Sequence, residues 1–127
     1  MPIAVSPTDE LELLDAPPSF SICPEQRGTL TMLRVHGDVD IATAPLLKEA
    51  MVAALQNGAT SLALDLSQVA YLDSIGLGVL IGARRRTAER GGTIYLIGVR
   101  ANIYRVLRLL SMEQLFPLCS EADLPQA

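Results

Sequence analysis

"SLALDLSQVAYLDSIGLGVL", residues 61–80, is the stretch that decides the fold. Its first seven residues are almost continuously apolar, which predicts a strand covered on both faces, as in a parallel sheet. A short connection then leads to Ser74, and residues 75–90 are predicted to form a helix. This unit of strand, connection and helix is the element from which parallel sheets are built.

Two strands and a helix are predicted before this stretch. Residues 20–23 and 30–37 have strand composition, and residues 24–28, "PEQRG", are predicted to be the turn between them. A helix follows, which Thr43 can cap and in which Pro45 suits the first turn.

Further elements are predicted after the helix that ends near residue 90. They are a strand at residues 93–99, a helix that begins near Asn102, and a short strand within residues 115–119. The order is therefore β-β-α-β-α-β-α-β, with repeated βαβ units. Right-handed crossovers then predict an α/β fold with a mainly parallel sheet and helices packed on it.

The composition limits the class of protein. A chain of 127 residues, half of them hydrophobic, fits one domain with a substantial core. The net charge of −4 argues against direct nucleic-acid binding. The N-terminus lacks a signal-peptide pattern, and no apolar run approaches the roughly 18 residues of a membrane span. We expect a soluble cytoplasmic protein that does not contact a membrane.

Charge is distributed unevenly. Residues 84–108 include seven arginines and one acid, whereas residues 1–20 include four acids and no base. Solvated helix faces are the favoured interpretation of the arginines, and a surface for an acidic partner is the alternative. Residues 1–18, with four prolines among the acids, are predicted to be a mobile tail.

Metal and cofactor chemistry has little support. Cys23 and Cys119 are far apart in sequence, and His36 is the only histidine. No CxxC or Cys/His cluster occurs, so we expect no zinc site and no cofactor. Two buried, reduced thiols are the favoured interpretation, and a disulfide remains open.

Ser74 and Asp65 were compared with known reactive sites. A serine nucleophile needs a base and usually a GxSxG turn, but the only imidazole lies in a predicted strand and that motif is absent. The glycines after Ser74 give GxGxxxG inside the helix, which is not a phosphate-binding loop. Asp65 resembles the phosphorylated aspartate of response-regulator receivers, but the acidic pair and late lysine of such sites are missing.

Two interpretations of Ser74 remain, and they are compatible. Its hydroxyl can accept an N–H in the first turn of the helix, contributing about 1 kcal/mol, and Asp73 can share that role. Alternatively, a phosphate could be placed on Ser74, because a helix N-terminus accommodates an anion. Such a phosphate adds about −1.5 to −2 charges at neutral pH.

Four segments resemble a known family: "GDVDIATAPLLKEA", "LALDLSQVAYLDSIGLGVLIGARRR", "GGTIYLIG" and "YRVLRLLSMEQLFPL". They are similar to bacterial anti-sigma factor antagonists, small proteins of the STAS-domain family, over about residues 20–119. The resemblance implies a STAS fold, with a four- to five-stranded, mixed and mainly parallel sheet and helices mainly on one face. We therefore expect a STAS domain at residues 19–119, between an acidic tail at 1–18 and a C-terminal tail at 120–127.

The resemblance also implies a non-enzymatic, partner-switching function. The unphosphorylated protein would bind an anti-sigma factor that is also an ATP-dependent serine kinase, and so release a sigma factor. Phosphorylation would end that binding, and a metal-dependent phosphatase would restore it. A STAS scaffold subunit of a larger signalling assembly is the alternative. A hydrolase using Ser74 and a redox role for the two cysteines are lesser ones.

The family's functional positions transfer to the motif "DS-x-GLG" and the loop "GDVD". Ser74 matches the phosphorylated serine, and Ile75 departs from the second Ser or Thr that many members have there. The residues implied to meet the partner are Asp38, Asp40, Asp73, Ser74, Ile75, Gly76, Leu77 and Gly78.

Overall fold

The chain folds into one five-stranded mixed sheet with three helices, in a computed structural model that describes residues 19–125. The elements in chain order are β1 (Ser21–Arg27), β2 (Leu30–His36), α1 (Ala44–Gln56), β3 (Ser61–Gln68), α2 (Ser74–Glu89), β4 (Ile94–Ile97), α3 (Ala101–Leu109) and β5 (Leu118–Cys119). Short 3-10 turns occupy Met112–Gln114 and Glu121–Asp123. The tail predicted at residues 1–18 lies outside the described residues.

The sheet order is β1-β2-β3-β4-β5. Only β1 is antiparallel to its neighbour, and the other three pairings are parallel. The predicted α/β class and mainly parallel sheet are confirmed. β3 is central, and Leu62, Leu64 and Leu66 are buried beneath the helices while Ala63 is buried on the opposite face. This two-sided burial explains the continuous apolarity of its sequence.

The predicted turn at residues 24–28 was wrong. β1 continues through Pro24 to Arg27, and the chain reverses at Gly28 and Thr29, where Gly28 has a positive φ of 63°. Pro24 pairs with Leu33, three positions from the closing pair of the hairpin, where its backbone faces away from β2. A proline is tolerated there because β1 is an edge strand, and the missing N–H would have faced solvent.

The main core lies between the sheet and the helices. Each helix presents a row of apolar residues to it, among them Leu47 and Met51 of α1, Leu80 of α2 and Leu107 of α3. Burial of such side chains is worth roughly 1.5–3 kcal/mol each. A buried Phe116, after the first 3-10 turn, closes the core near β5.

The helix-free face of the sheet carries a smaller apolar cluster and a group of charges. Leu30, Met32, Ala63, Ile97 and Leu124 form the apolar cluster. Beside it lie five charged residues that we call the ion-pair cluster: Glu25, Arg27, Arg34, Asp65 and Glu121. Residues 120–127 were predicted as a tail. The described part of that segment reaches this face through Glu121 and the buried Leu124.

Arg34 is the centre of the ion-pair cluster. Its two terminal nitrogens each donate to one carboxylate oxygen of Glu121 at 3.0 Å, and one also donates to Asp65 at 3.1 Å. The hydrogen bonds from Arg34 and then Arg27 lower the pKa of Glu121 to about 2. The cluster therefore links three strands of the sheet, β1, β2 and β3, to the C-terminal segment.

The cysteines are not placed as predicted. Both thiols are free, but Cys23 is exposed on edge strand β1, and Cys119 of β5 is only partly buried. Burial, and then the nearby charge of Asp123, raise the pKa of the Cys119 thiol. The expectation of two buried thiols fails at Cys23 because the edge strand has no covering layer on that face.

Candidate functional site

α2 begins at a cap formed by Asp73. The residue has extended backbone, and its Oδ1 accepts hydrogen bonds from the amides of Ile75 and Gly76, both at 3.0 Å. The capping role predicted first for Ser74 therefore belongs to Asp73, and Ser74 is the first residue of the helix. The reason is geometric, because the cap residue must have non-helical backbone and Asp73 is the last residue that does.

The Ser74 hydroxyl is left free by this arrangement. The side chain is exposed, and within residues 19–125 its Oγ makes no hydrogen bond. Two amides that could have held it are taken by Asp73, and the amide of Leu77 donates to the Asp73 carbonyl at 3.0 Å. The helix end thus presents an unbonded hydroxyl to solvent.

Two loops meet beside Ser74 at the carboxyl edge of the parallel strands. Val39 and Leu72 form a parallel bridge. The Val39 amide donates to the Tyr71 carbonyl at 2.9 Å, and the Asp73 amide donates to the Val39 carbonyl at 3.2 Å. We call the surface formed by residues 37–43 and 69–78 the loop edge. The structure thereby brings together the two segments that the sequence analysis singled out.

Asp38 and Asp40 have different surroundings in the first loop. Asp40 is half-buried, and its Oδ1 accepts from the amides of Ala42 at 2.9 Å and Thr43 at 3.2 Å. Asp38 is exposed, and only its backbone carbonyl is bonded, by the Thr43 hydroxyl at 2.7 Å. Asp40 therefore shapes the loop, whereas the Asp38 carboxylate faces solvent.

Thr43 was predicted to cap α1 with its hydroxyl, and this hydrogen bond is not formed. Thr43 occupies the N-cap position of α1, but its hydroxyl makes no capping bond to the first turn. It is 2% exposed, accepts from the Asp40 amide at 2.9 Å and donates to the Asp38 carbonyl. Thr43 fastens the loop instead, because the loop folds back over the start of the helix.

The residues after Ser74 divide between core and surface. Gly76 is buried where a Cβ would lie 2.7 Å from Leu72 Cδ1 and 2.8 Å from Val39 Cγ1, so a side chain would separate the two loops. Leu77 is 6% exposed and belongs to the main core. Gly78 faces open space. Gly76 and Leu77 therefore hold the helix start in place, and Gly78 lies on its outer side.

Three large apolar side chains are exposed on the loop edge. Ile41 is 71% exposed, Tyr71 53% and Ile75 43%. Ile41 and Tyr71 were not selected from the sequence, although both stand next to the selected motifs. The available signal was that each is a large apolar residue close to an acidic residue of its loop. Together the three give this edge an apolar surface around Ser74.

Asp65, the other aspartate considered as a phosphate acceptor, lies on the helix-free face. Burial by itself raises its pKa, but hydrogen bonds from the Ser67 hydroxyl and amide and from Arg34 outweigh that effect, so the pKa lies below its ordinary value. Both oxygens of its carboxylate consequently accept hydrogen bonds beside or within the ion-pair cluster.

The described residues offer no support for a metal site or a membrane-spanning helix, and the arginines are placed as solvated residues. Within residues 19–125, no three His, Cys, Asp or Glu side chains are grouped to hold a metal ion. In the same range, no helix is long and apolar enough to cross a membrane. Of the seven arginines in residues 84–108, all but the half-buried Arg86 are exposed, as solvated helix faces would be.

Comparison with known proteins gives consistent matches. A family model described as "Mlab, STAS domain" matches residues 24–118. The anti-sigma-B factor antagonist of Listeria monocytogenes is 31% identical over 84 residues, which are 66% of this chain and 74% of that protein. The corresponding antagonist of Staphylococcus epidermidis is 30% identical over 83 residues, 65% of this chain and 77% of that protein.

Solved structures agree with the fold. An anti-sigma factor antagonist from Mycobacterium paratuberculosis superposes with a TM-score of 0.71 at 28% identity, covering 81% of this chain and 87% of that one. The antagonist SpoIIAA in its unphosphorylated form gives a TM-score of 0.64 at 17% identity, covering 80% and 87%. At that identity, the second likeness concerns the fold alone.

Proposed function

Because this chain belongs to the STAS-domain family of anti-sigma factor antagonists, we propose that it is a partner-switching regulator controlled at Ser74. The unphosphorylated protein binds an anti-sigma factor that is also an ATP-dependent serine kinase, and a sigma factor is released. Phosphorylation of Ser74 ends the binding, and a metal-dependent phosphatase reverses it. Antagonists of this family are generally not enzymes, so Ser74 is proposed as a substrate for another protein's chemistry.

The observation that carries the proposal is the free hydroxyl of Ser74. A kinase needs an accessible oxygen, and this side chain is exposed while Asp73 performs the capping that would otherwise have engaged it. Phosphorylation of Ser74 therefore leaves the capping hydrogen bonds of Asp73 intact. The modification can therefore act on partner binding while α2 stays folded.

The surroundings of Ser74 explain how a phosphate would act as an off switch. Exposed apolar side chains at Ile41, Tyr71 and Ile75 suit a partner that buries them. A phosphate at Ser74 adds about −1.5 to −2 charges in the middle of that surface. Burying those charges without a cationic partner is costly, and the nearby Asp38 carboxylate adds like charge.

Ile75 gives the site a single acceptor. The position that carries a second hydroxyl in many relatives here holds an apolar side chain that is 43% exposed. Thr43, the only other serine or threonine within residues 37–43 and 69–78, is buried and bonded within the loop. Phosphate transfer at this edge is consequently directed to Ser74, and Ile75 contributes apolar contact to the partner.

Phosphorylation by the cognate kinase tests the proposal. The full chain is incubated with the kinase and ATP, and the phosphate is located by mass spectrometry. We expect one phosphate, on Ser74, absent from Ser74→Ala and retained in Ser21→Ala, a matched change at an exposed serine of β1. Phosphate at another residue, or none with a kinase that is active on its own substrate, would contradict the proposal.

A further inference from the structure

A groove of about 360 Å³ lies between β1 and α1, on the side of the sheet that the helices cover. It exists because β1 is the edge strand and no helix lies over it beyond α1. The groove is lined by Pro24 and Gln26 of β1, Thr31 and Leu33 of β2, and Ala50, Ala53, Ala54 and Asn57 of α1.

The lining suits apolar side chains from another segment. Three alanines form its α1 wall, and none of them has a side chain long enough to reach across to β1. Leu33 lies in the floor and also belongs to the main core. The groove is thus an open continuation of the core, and apolar side chains placed in it would be removed from water.

The described chain begins near the first turn of α1, the helix whose later turns form one wall of the groove. Ser19 lies in a turn, and Phe20 is buried in the main core. Both residues line a second cleft with Asp38, Asp40 and Thr43, just before α1 begins. The first described residue therefore lies beside the first turn of α1, so a segment that precedes it can reach the groove by running along that helix.

The length of this preceding segment matches the groove. Leu14, Leu13 and Leu11 lie five to eight residues before Ser19, a reach of about 17–26 Å when extended. α1 has 13 residues, about 20 Å at the helical rise. Pro17 and Pro18 stand between the leucines and Ser19, where prolines favour a turn.

We propose that residues 9–15, "DELELLD", dock in the groove between β1 and α1 of their own chain. The leucines occupy the groove, and the four acids of the segment face water. The docked segment covers the part of the helix side of β1 that α1 leaves open. This inference does not depend on Ser74 or on the proposed function.

Hydrogen exchange of the full chain, read by mass spectrometry, tests the docking. We expect the amides of residues 9–15 to exchange about tenfold or more slowly than an unstructured segment. Leu13→Ser with Leu14→Ser should abolish that protection. Ile3→Ser with Val5→Ser, which removes apolar residues of the same tail outside the docking segment, should leave it intact.

A change in the groove gives an independent test. Ala53 is exposed on α1 and lines the groove, so Ala53→Trp fills it without disturbing the core. We expect this variant to lose the protection of residues 9–15, and Lys48→Trp, at an exposed α1 position outside the groove lining, to keep it. Unchanged exchange of β3 in both variants verifies that the domain is folded.

Three outcomes would overturn the docking. Residues 9–15 could exchange at unstructured rates in the unaltered chain, or both tryptophan variants could act alike. Protection that rises with protein concentration would assign the groove to the tail of a second copy, or to another form of self-association, and would refute docking within one chain.

Discussion

Asp65 lies within β3 and Asp73 lies directly before α2, and the two aspartates belong to regions with opposite roles. Asp65 accepts from Arg34 and Ser67 inside the ion-pair cluster, which fastens the C-terminal segment to the sheet. Asp73 caps α2 on the loop edge, and the neighbouring Ser74 hydroxyl has no hydrogen bond among residues 19–125. In the first region the polar groups are satisfied by the fold, and in the second one exposed hydroxyl is not.

The largest expected effect concerns Gly76, on which the loop edge depends. Gly76→Ala places a Cβ against Leu72 and Val39, and we expect it to lower the free energy of unfolding by about 1–3 kcal/mol. Gly78→Ala is the matched control, since a Cβ there meets nothing within 4 Å. It should be neutral or stabilise by up to about 1 kcal/mol. Urea unfolding of both variants measures this, and equal effects would show that the two loops do not require close contact.

The next effect separates the two regions by charge. Ser74→Asp should weaken binding to the anti-sigma factor kinase by about tenfold or more, equivalent to about 1.4 kcal/mol, whereas Ser74→Ala should bind as tightly as the unaltered protein. Ser21→Asp adds the same charge on β1, away from the loop edge, and should have no effect. Isothermal titration calorimetry provides the affinities. If both aspartate variants bind alike, the charge at Ser74 is not the control.

The cap at Asp73 has a smaller effect on stability. Asp73→Ala leaves the amides of Ile75 and Gly76 without their acceptor, and we expect a loss of about 1 kcal/mol in thermal or urea unfolding. Asp73→Asn retains a capping oxygen and should lose only part of this. If Asp73→Ala unfolds like the unaltered chain, the cap does not stabilise α2 as argued.

The smallest effect belongs to the ion-pair cluster and depends on pH. The pKa of Glu121 is about 2 in the folded protein against an ordinary value of 4.5. A lowered pKa means that the ion pair stabilises the fold above pH 4.5, and that this contribution is lost as the pH falls towards 2. Glu121→Gln should therefore flatten the fall in melting temperature between pH 4.5 and 2.

Glu49→Gln, at an exposed position of α1 outside the cluster, is the control for that pH series. It should follow the unaltered protein at every pH. If the melting temperature of Glu121→Gln falls with pH as it does in Glu49→Gln and in the unaltered protein, the charge of Glu121 contributes nothing to stability in this range.

Much of the fold could be predicted because its signals are local. Continuous apolarity in β3 and helical spacing in α1 depend on residues that are neighbours in the chain. The end of β1 could not be predicted in this way. Pro24 is tolerated in β1 because β1 is an edge strand and the backbone of Pro24 faces away from β2. Which strand lies at the edge depends on the order of all five strands.

The sequence singled out the residues of the candidate site but not the local roles of their side chains. The structure brings Asp38, Asp40 and residues 73–78 together on the loop edge, and their part in partner binding stays a prediction. Asp40 and Thr43 instead build the loop, and Asp73 takes the cap assigned first to Ser74. The exposed Ile41 and Tyr71 were missed, since sequence alone does not tell which apolar residues the core leaves out.

The alternation of strands and helices, the family, and the serine at the start of α2 can all be read from the amino-acid sequence, because each depends on residues that are neighbours in the chain. Which polar groups are satisfied depends on the folded arrangement. A hydrogen bond depends on where two distant segments meet: Val39 against Leu72 at the loop edge, and Glu121 against Arg34 on the helix-free face. The first of these contacts lies beside the exposed Ser74 hydroxyl, and the second lies beside the Asp65 carboxylate.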